Sequence, residues 1–461
     1  MRKKHVSVLL TLLFNLIALG LLLSPVWEYG FPLLYSDSGT YMAAAYDGII
    51  PIDRPMAYPW FLRLSQFLFS MRFAPIAQGL LILYVAYVFV HIWLFPELKK
   101  WVSGLVIGLL ALLTGLPHLV SQLMPDVFTG LLFFVVFLWT RKCELPLIHQ
   151  IITAILILFL VASHTTHLLI FLLFYPAVVL AYGIFLKQGK PLYGAWIIAP
   201  ALLIVPMINQ WTDGRFFYSD SSRIFFAASL QTAGVMEPWL DKHCGDPEAP
   251  VFLCRNKEEL RGKEGNYILW DSHILTDSAC EQLGGWGYCW KLRNDELKPF
   301  MAAWWKDPES RQLWFQHALR ATRAQILDFE IGFIKSQKEG SAPYSVLESR
   351  YPRMLEKYKA SAQYFRDLHF DGKTKAQNRT VIISSILLIV LVLYGWMSSQ
   401  WKKEWTLIIL GLALFLVFNA FFCGVFSNAL NRYQARVIWL IPFMTLCFSA
   451  LFLSRLSKTK K

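Results

Sequence analysis

Charge is scarce in this chain. Asp, Glu, Lys and Arg make up only 16% of its 461 residues, and apolar residues fill the gap at 56%, against about 45–50% in a soluble domain. That balance, with a mean hydropathy of +0.44, excludes an ordinary soluble enzyme. Cysteine is also sparse: there are seven, and none form a paired Cys-x-x-Cys spacing, which argues against a structural zinc site. No internal repeat of solenoid type is present. No small-x-small cleavage site follows the first apolar run, which at about 20 residues exceeds a signal core, so it reads as a retained span.

What is present comes in blocks. Crossing the roughly 30 Å hydrocarbon core takes about 20 apolar residues. Ten candidate spans lie at about 5–24, 75–95, 101–117, 125–140, 148–163, 167–186, 191–208, 380–398, 405–424 and 437–454. The expected fold is therefore an all-α polytopic membrane protein of about ten transmembrane helices with a mixed, disulfide-containing extracytoplasmic domain. It divides into an N-terminal membrane module (1–208) with a first outer loop (25–74), an extracytoplasmic domain (209–378) and C-terminal membrane helices (379–461).

The net charge of +13 does not indicate a nucleic-acid partner, because of where the charge sits. Fifteen Lys and Arg occupy alternate connections, at Arg2-Lys3-Lys4, Lys99-Lys100, Arg141-Lys142, Lys187, Lys190, Lys402-Lys403, Arg455, Lys458, Lys460 and Lys461. The intervening turns 118–124 and 164–166 have none, and 209–378 balances 23 basic against 23 acidic residues. Cytoplasmic loops collect Lys and Arg because translocating them is unfavourable. Both termini are then cytoplasmic and 209–378 is periplasmic, in a bacterial inner membrane; an endoplasmic reticulum membrane would show the same asymmetry. Cys244, Cys254, Cys280 and Cys289 all fall in the long outer segment. That suggests two disulfides, with three connectivities open.

Within the first outer loop, segments near 39–47 and 58–70 read as short interfacial helices. A longer helical stretch is expected from about 294 to 336, with aromatic residues at three-to-four spacing forming a packing face.

Ionisable residues from four connections should meet on the outer face. The first loop brings Asp37, Tyr41, Asp53 and Arg54. The turn 116–126 brings His118 and Asp126, the turn Ser163–His167 brings His164 and His167, and the last connection brings Arg432, Tyr433 and Arg436. Arginine forks suit phosphate oxygens, and a carboxylate at the interface can take a proton from an attacking hydroxyl. The chemistry suggested is group transfer from a lipid-linked phosphate donor. Each residue also has a plainer role. Asp37 could cap a helix, Asp53 and Arg54 could pair with each other, and Asp126 could complement a helix dipole. The histidines could bond backbone or hold a zinc ion, and the arginines could snorkel to headgroups. Whether a divalent cation takes part stays open.

At these residues the chain resembles the GT-C superfamily of membrane glycosyltransferases, which use polyprenyl-phosphate sugars. The resemblance rests on Tyr35-Ser-Asp37-Ser-Gly-Thr-Tyr41 with Asp53-Arg54-Pro55 after the first span, on Met124-Pro125-Asp126, and on Asn431-Arg432-Tyr433 followed by Pro442. It covers the membrane part, about 290 residues. Where that family often has Asp-Glu in the first loop, this chain has Asp37-Ser38. The resemblance implies inverting transfer, with a polyprenyl-phosphate sugar as donor and a glycan, lipid or protein as acceptor. Asp37 would be the general base, with Asp53 and Asp126 as supporting acids. Arg54, Arg432 and Arg436 would bind phosphate, and Tyr41 and Tyr433 would line the pocket. The competing readings are a transporter or flippase of a lipid-linked or anionic substrate, and a non-catalytic assembly scaffold. A transport site belongs near the bilayer midplane, whereas these polar groups gather at one lip.

Overall fold

The computed structural model describes residues 2–427 and 429–459; Lys460 and Lys461 of the basic tail lie outside the described residues. The fold is helical throughout. The sheet among the described residues is one antiparallel ribbon, with Phe333 opposite His369 and Ile334 opposite Leu368. Seven helical segments are long and apolar enough to cross a bilayer: His5–Leu22, Met71–Leu94, Thr165–Leu186, Pro191–Asp213, Asp371–Met397, Lys403–Phe426 and Asn431–Ser457. The chain is a helical membrane protein.

The other three expected spans form shorter apolar helices, Val102–Leu113, Val127–Thr140 and Leu147–Val161. At about 1.5 Å per residue each falls short of the roughly 30 Å core. Local breaks explain their length. The first stops at Thr114-Gly115, and the second starts after Pro125-Asp126. The third begins after Pro146, at Leu147. The second is buried along its whole length, as expected of a helix that is apolar on every side. It is the axis of the bundle. Phe133 packs on Phe174 and Phe415. A Cβ at Gly130 would sit 2.6 Å from the Trp439 ring, so only glycine admits that indole.

The basic connections meet at one end of the bundle. Arg141 donates to Glu144 and Gln188 and lies 3.5 Å from Glu404. Arg455 pairs with Glu97 at 3.0 Å. At the opposite end the first loop forms two helices, Ser36–Asp47 and Ala57–Leu68, close to the two short ones expected.

Two structures rise from residues 209–378. The first, within about 222–327, has its own core of Trp239, Trp290, Phe300, Trp304 and their neighbours. Its cysteines pair in sequence order, Cys244 with Cys254 and Cys280 with Cys289. The single helix expected over 294–336 is instead two, Ser278–Ala303 and Pro308–Leu327. Asp307 causes the break: its carboxylate accepts from the Ser310 N–H at 2.9 Å and starts a new helix, with Pro308 at its first position.

The second structure, residues 331–370, is a strap across the first loop. Leu347, Tyr351 and Tyr358 join the membrane core. Tyr351 donates to the Met42 carbonyl at 3.0 Å, and the Gln363 amide bonds both the N–H and the carbonyl of Leu34. The Gly39 position lies 2.7 Å, measured from an added Cβ, from the Ala342 backbone. A side chain there would push the strap off the loop.

Candidate functional site

The strap and the bundle together fix the start of the helix Ser36–Asp47. Tyr35 is extended, and its N–H donates to Ser38 Oγ at 3.0 Å. Ser38 thus serves the helix end, and Asp37 is left for other partners. One Asp37 oxygen accepts from Arg54 Nη2 at 3.0 Å and the other from Arg432 Nη2 at 3.0 Å. Arg54 Nε also lies 3.4 Å from Asp53. The side chains of Asp37, Arg54 and Arg432 are 17%, 18% and 22% exposed, so the clamp is held but reachable. Arg54 lies over the Tyr41 ring, and Arg432 lies over the rings of both Tyr35 and Tyr433. Tyr41 itself is buried edge-on against Tyr58, and its hydroxyl has no partner among the described residues.

One helical turn after Arg432, Arg436 is sealed. Its Nη1 donates to Asp126 at 3.0 Å, and its Nη2 reaches Asn419, Thr166 and Cys423 at 3.2, 3.3 and 3.0 Å. It also stacks on Tyr433. Asp126 is 4% exposed and Arg436 fully buried. Asp126 makes no capping bond; its partner is the guanidinium.

The three histidines part company. His164 Nδ1 accepts from the Thr166 N–H and bonds the Thr166 hydroxyl. It therefore sits beside the Arg436 network with Nε2 left as the donor nitrogen. His167 is fully buried and uses both nitrogens, on Thr129 and on the Leu160 carbonyl. It ties two helices together and bonds backbone, the plainer of its expected roles, with no nitrogen left for a substrate. His118 packs edge-on against Phe370. It shares a cavity of about 10 Å³ with Tyr35, Gln122 and Arg432, room for about one water. Its Nδ1 has no hydrogen-bond partner among the described residues, and the cavity joins it to Arg432 rather than to Asp37. Among the described residues, no three His, Cys, Asp or Glu side chains converge to hold a metal ion.

The electrostatics of the lip follow from this geometry. Burial raises the Asp37 carboxyl, but Arg54 and Arg432 outweigh it and hold it at about 2. Asp53 is pushed up, chiefly by burial, against the pull of Arg54. Burial holds the His118 imidazole down at about 4, helped by Lys373. His164 is also driven well below its ordinary value by burial and then by Arg436. Both imidazoles are neutral at physiological pH, and His164 offers a hydrogen bond rather than a charge.

Beside the clamp opens an apolar groove of about 630 Å³. The helix Ala57–Leu68, three residues after Arg54, forms one wall with Trp60, Phe61 and Leu64; Leu80, Tyr84 and Phe159 form the other. Tyr58 joins the two regions, meeting Tyr41 edge-on toward the clamp and stacking on Phe61 toward the groove.

Several of these partners escape a search for titratable motifs. Tyr35, Tyr58, Thr166, Asn419 and Cys423 all hold the arginines or their neighbours. Asn419 is the one with a readable signal, a lone amide inside an apolar helix, where a polar group must find a partner. The class defined here is a helical membrane protein with an Asp–Arg cluster at one end, next to an apolar groove. Comparison with family models, characterised proteins and solved structures returns no match.

Proposed function

We propose that this chain is a membrane glycosyltransferase of GT-C type, moving a sugar from a polyprenyl-phosphate donor to an acceptor at the outer face with inversion. The reading rests on one observation above all: Asp37 lies between Arg54 and Arg432, and an apolar groove of about 630 Å³ starts at Ala57, three residues past Arg54, with Tyr58 linking the two. Such a donor has those two halves, an anionic head and a long isoprenoid tail. The tail suits Trp60, Phe61 and Leu64, since burying apolar carbon is favourable by about 25 cal/mol per Å². The head suits the two guanidiniums.

In the reaction, the acceptor oxygen attacks the anomeric carbon and its proton passes to Asp37. The bond from that carbon to the phosphate oxygen breaks, and the electron pair leaves with the polyprenyl phosphate. Arg54 and Arg432 meet the charge that develops there. His164, neutral, adds a hydrogen bond. The sealed pair of Asp126 and Arg436 holds Tyr433 and, through the helix it shares, Arg432. Asp53 orients the acceptor or keeps Arg54 in place. In this reading all ten apolar helices lie within the bilayer and both termini are cytoplasmic. The structures of 209–378 stand in the periplasm of a bacterial inner membrane, above the site.

The test uses purified full-length protein with a polyprenyl-phosphate sugar and candidate acceptors. Product with an inverted anomeric centre is expected. Asp37→Asn should lower the rate by about 10²–10⁴-fold, the usual worth of a positioned base. Movement of the lipid between leaflets with no new glycosidic bond would instead make the chain a flippase.

A further inference from the structure

The clamp on Asp37 is half-made, and that is informative. Each arginine reaches the carboxylate through Nη2 alone. The Nε–H of Arg432 and that of Arg54 have no hydrogen-bond acceptor among the described residues, Asp53 standing off at 3.4 Å. A guanidinium binds an oxyanion best through two parallel N–H groups, so two forks are left underused. One turn away, Arg436 engages Nε, Nη1 and Nη2 together. Arg432 lies over two rings, Tyr35 at 5.4 Å and Tyr433 at 5.1 Å. These rings keep its plane while leaving its edge free to change partner.

From this geometry we infer that Asp37 is masked until the donor arrives. The donor phosphate takes Arg432 away from Asp37, and the released carboxylate then receives the acceptor. The inference rests on the polyprenyl-phosphate reading above and adds an order to it, donor before acceptor. The donor phosphate, a diester, carries one negative charge as Asp37 does, but its two free oxygens can fill both N–H positions of a fork that Asp37 meets through Nη2 alone. The named charges at the lip and its sealed neighbour balance, three aspartates against three arginines. A new anion that takes Arg432 therefore competes with the carboxylate already on it. Asp37 is the reachable one; Asp126 is not. Losing one of two cations also restores basicity to Asp37 at the moment a base is needed.

Equilibrium binding of polyprenyl monophosphate to the purified full chain tests the exchange, because this ligand carries no sugar and cannot turn over. Asp37 competes with the ligand for Arg432. Asp37→Asn is thus expected to bind about tenfold more tightly than the parent, the scale of one charge-assisted contact. Asp37→Glu, which keeps the competing charge, should bind like the parent. If the Asn protein does not fold, Asp37→Ser replaces it. Binding by Asn or Ser that is equal to or weaker than the parent's overturns the exchange and leaves the donor reading standing. No binding by any form removes the donor reading and the exchange with it. A parallel arm with inorganic phosphate should show much weaker binding with the same preference for the Asn protein. Free phosphate binding as tightly as the lipid would overturn the lipid as its source.

Discussion

Two aspartate–arginine pairs stand one helical turn apart, on either side of Tyr433, and they are built for different ends. The Asp126–Arg436 pair is closed: both members are at least nine-tenths buried, and the guanidinium is satisfied by Asn419, Thr166 and Cys423 as well. Asp37 and Arg432 meet through a single contact, and both keep some contact with solvent. A buried ion pair contributes little net stability, but losing one partner strands the other. A half-open pair has water to take the place of a lost partner. The same two residue types therefore make a structural pin in one place and an exchangeable clamp in the other.

The largest test of this contrast is to cut each pair from the carboxylate side. Asp126→Asn leaves Arg436 charged in a sealed space and should cost about 3–5 kcal/mol, seen as a large drop in the thermal unfolding midpoint in detergent. Asp37→Asn should cost clearly less while abolishing transfer. If Asp37→Asn were the more destabilising of the two, the division between pin and clamp would collapse.

Acid sharpens the comparison further. Asp37 is held at about 2 against an ordinary value of 3.8. Its ion pairs thus stabilise the fold fully above that ordinary value and lose their effect as pH falls toward 2, by on the order of 2 kcal/mol at most. Asp53, pushed the other way by burial, contributes in the opposite sense: its share is present in acid and lost as pH rises through its shifted value. Unfolding midpoints measured from pH 5 to about pH 2 should fall steeply in the parent and less in Asp37→Asn. Parallel curves would deny Asp37 its lowered value.

The smallest effect belongs to a third pair, Asp47 with Arg350, which ties the strap to the first loop at 2.8 Å but is 27% and 32% exposed. Exposed pairs are worth about 0–1 kcal/mol. Asp47→Asn should shift the midpoint barely and leave transfer intact. A loss of transfer there would make the strap part of the site rather than its support.

How much of this could be read in advance follows from the physics of each feature. Apolar runs mark helices reliably, because a bilayer demands length and hydrophobicity together; all ten expected segments are helical. Three are short because proline and glycine end them, and boundaries are the weaker part of such a reading. Asp37, Arg54 and Arg432 stand out as charges at the edges of apolar runs, and they do meet. His118 and His167 stood out for the same reason, yet His167 is satisfied by Thr129 and the Leu160 carbonyl, while His118 lies against Phe370 with Nδ1 unpartnered among the described residues. Residue type alone cannot separate an imidazole satisfied by its neighbours from one left for a ligand. The strap was invisible, since nothing local in 331–370 says that it lies on residues 33–47 some 300 positions earlier. In the sequence Tyr35 reads only as the start of the Asp37 motif, and Asn419 is passed over although its amide lies inside an apolar helix.

Gly39 gives that distance in sequence a consequence in time. The notch it leaves is filled by the backbone at Ala342 and Pro343, and the clamp beside it is closed by Arg432. A ribosome makes Asp37 395 residues before Arg432, at about 5–20 residues per second. Throughout that interval the chain carries its acidic loop without its second arginine, and until the strap is made it has no lid either. The site thus comes into being long after its own aspartate. A chain stopped before the strap could be threaded through the bilayer in good order and still have nothing with which to hold its own key carboxylate.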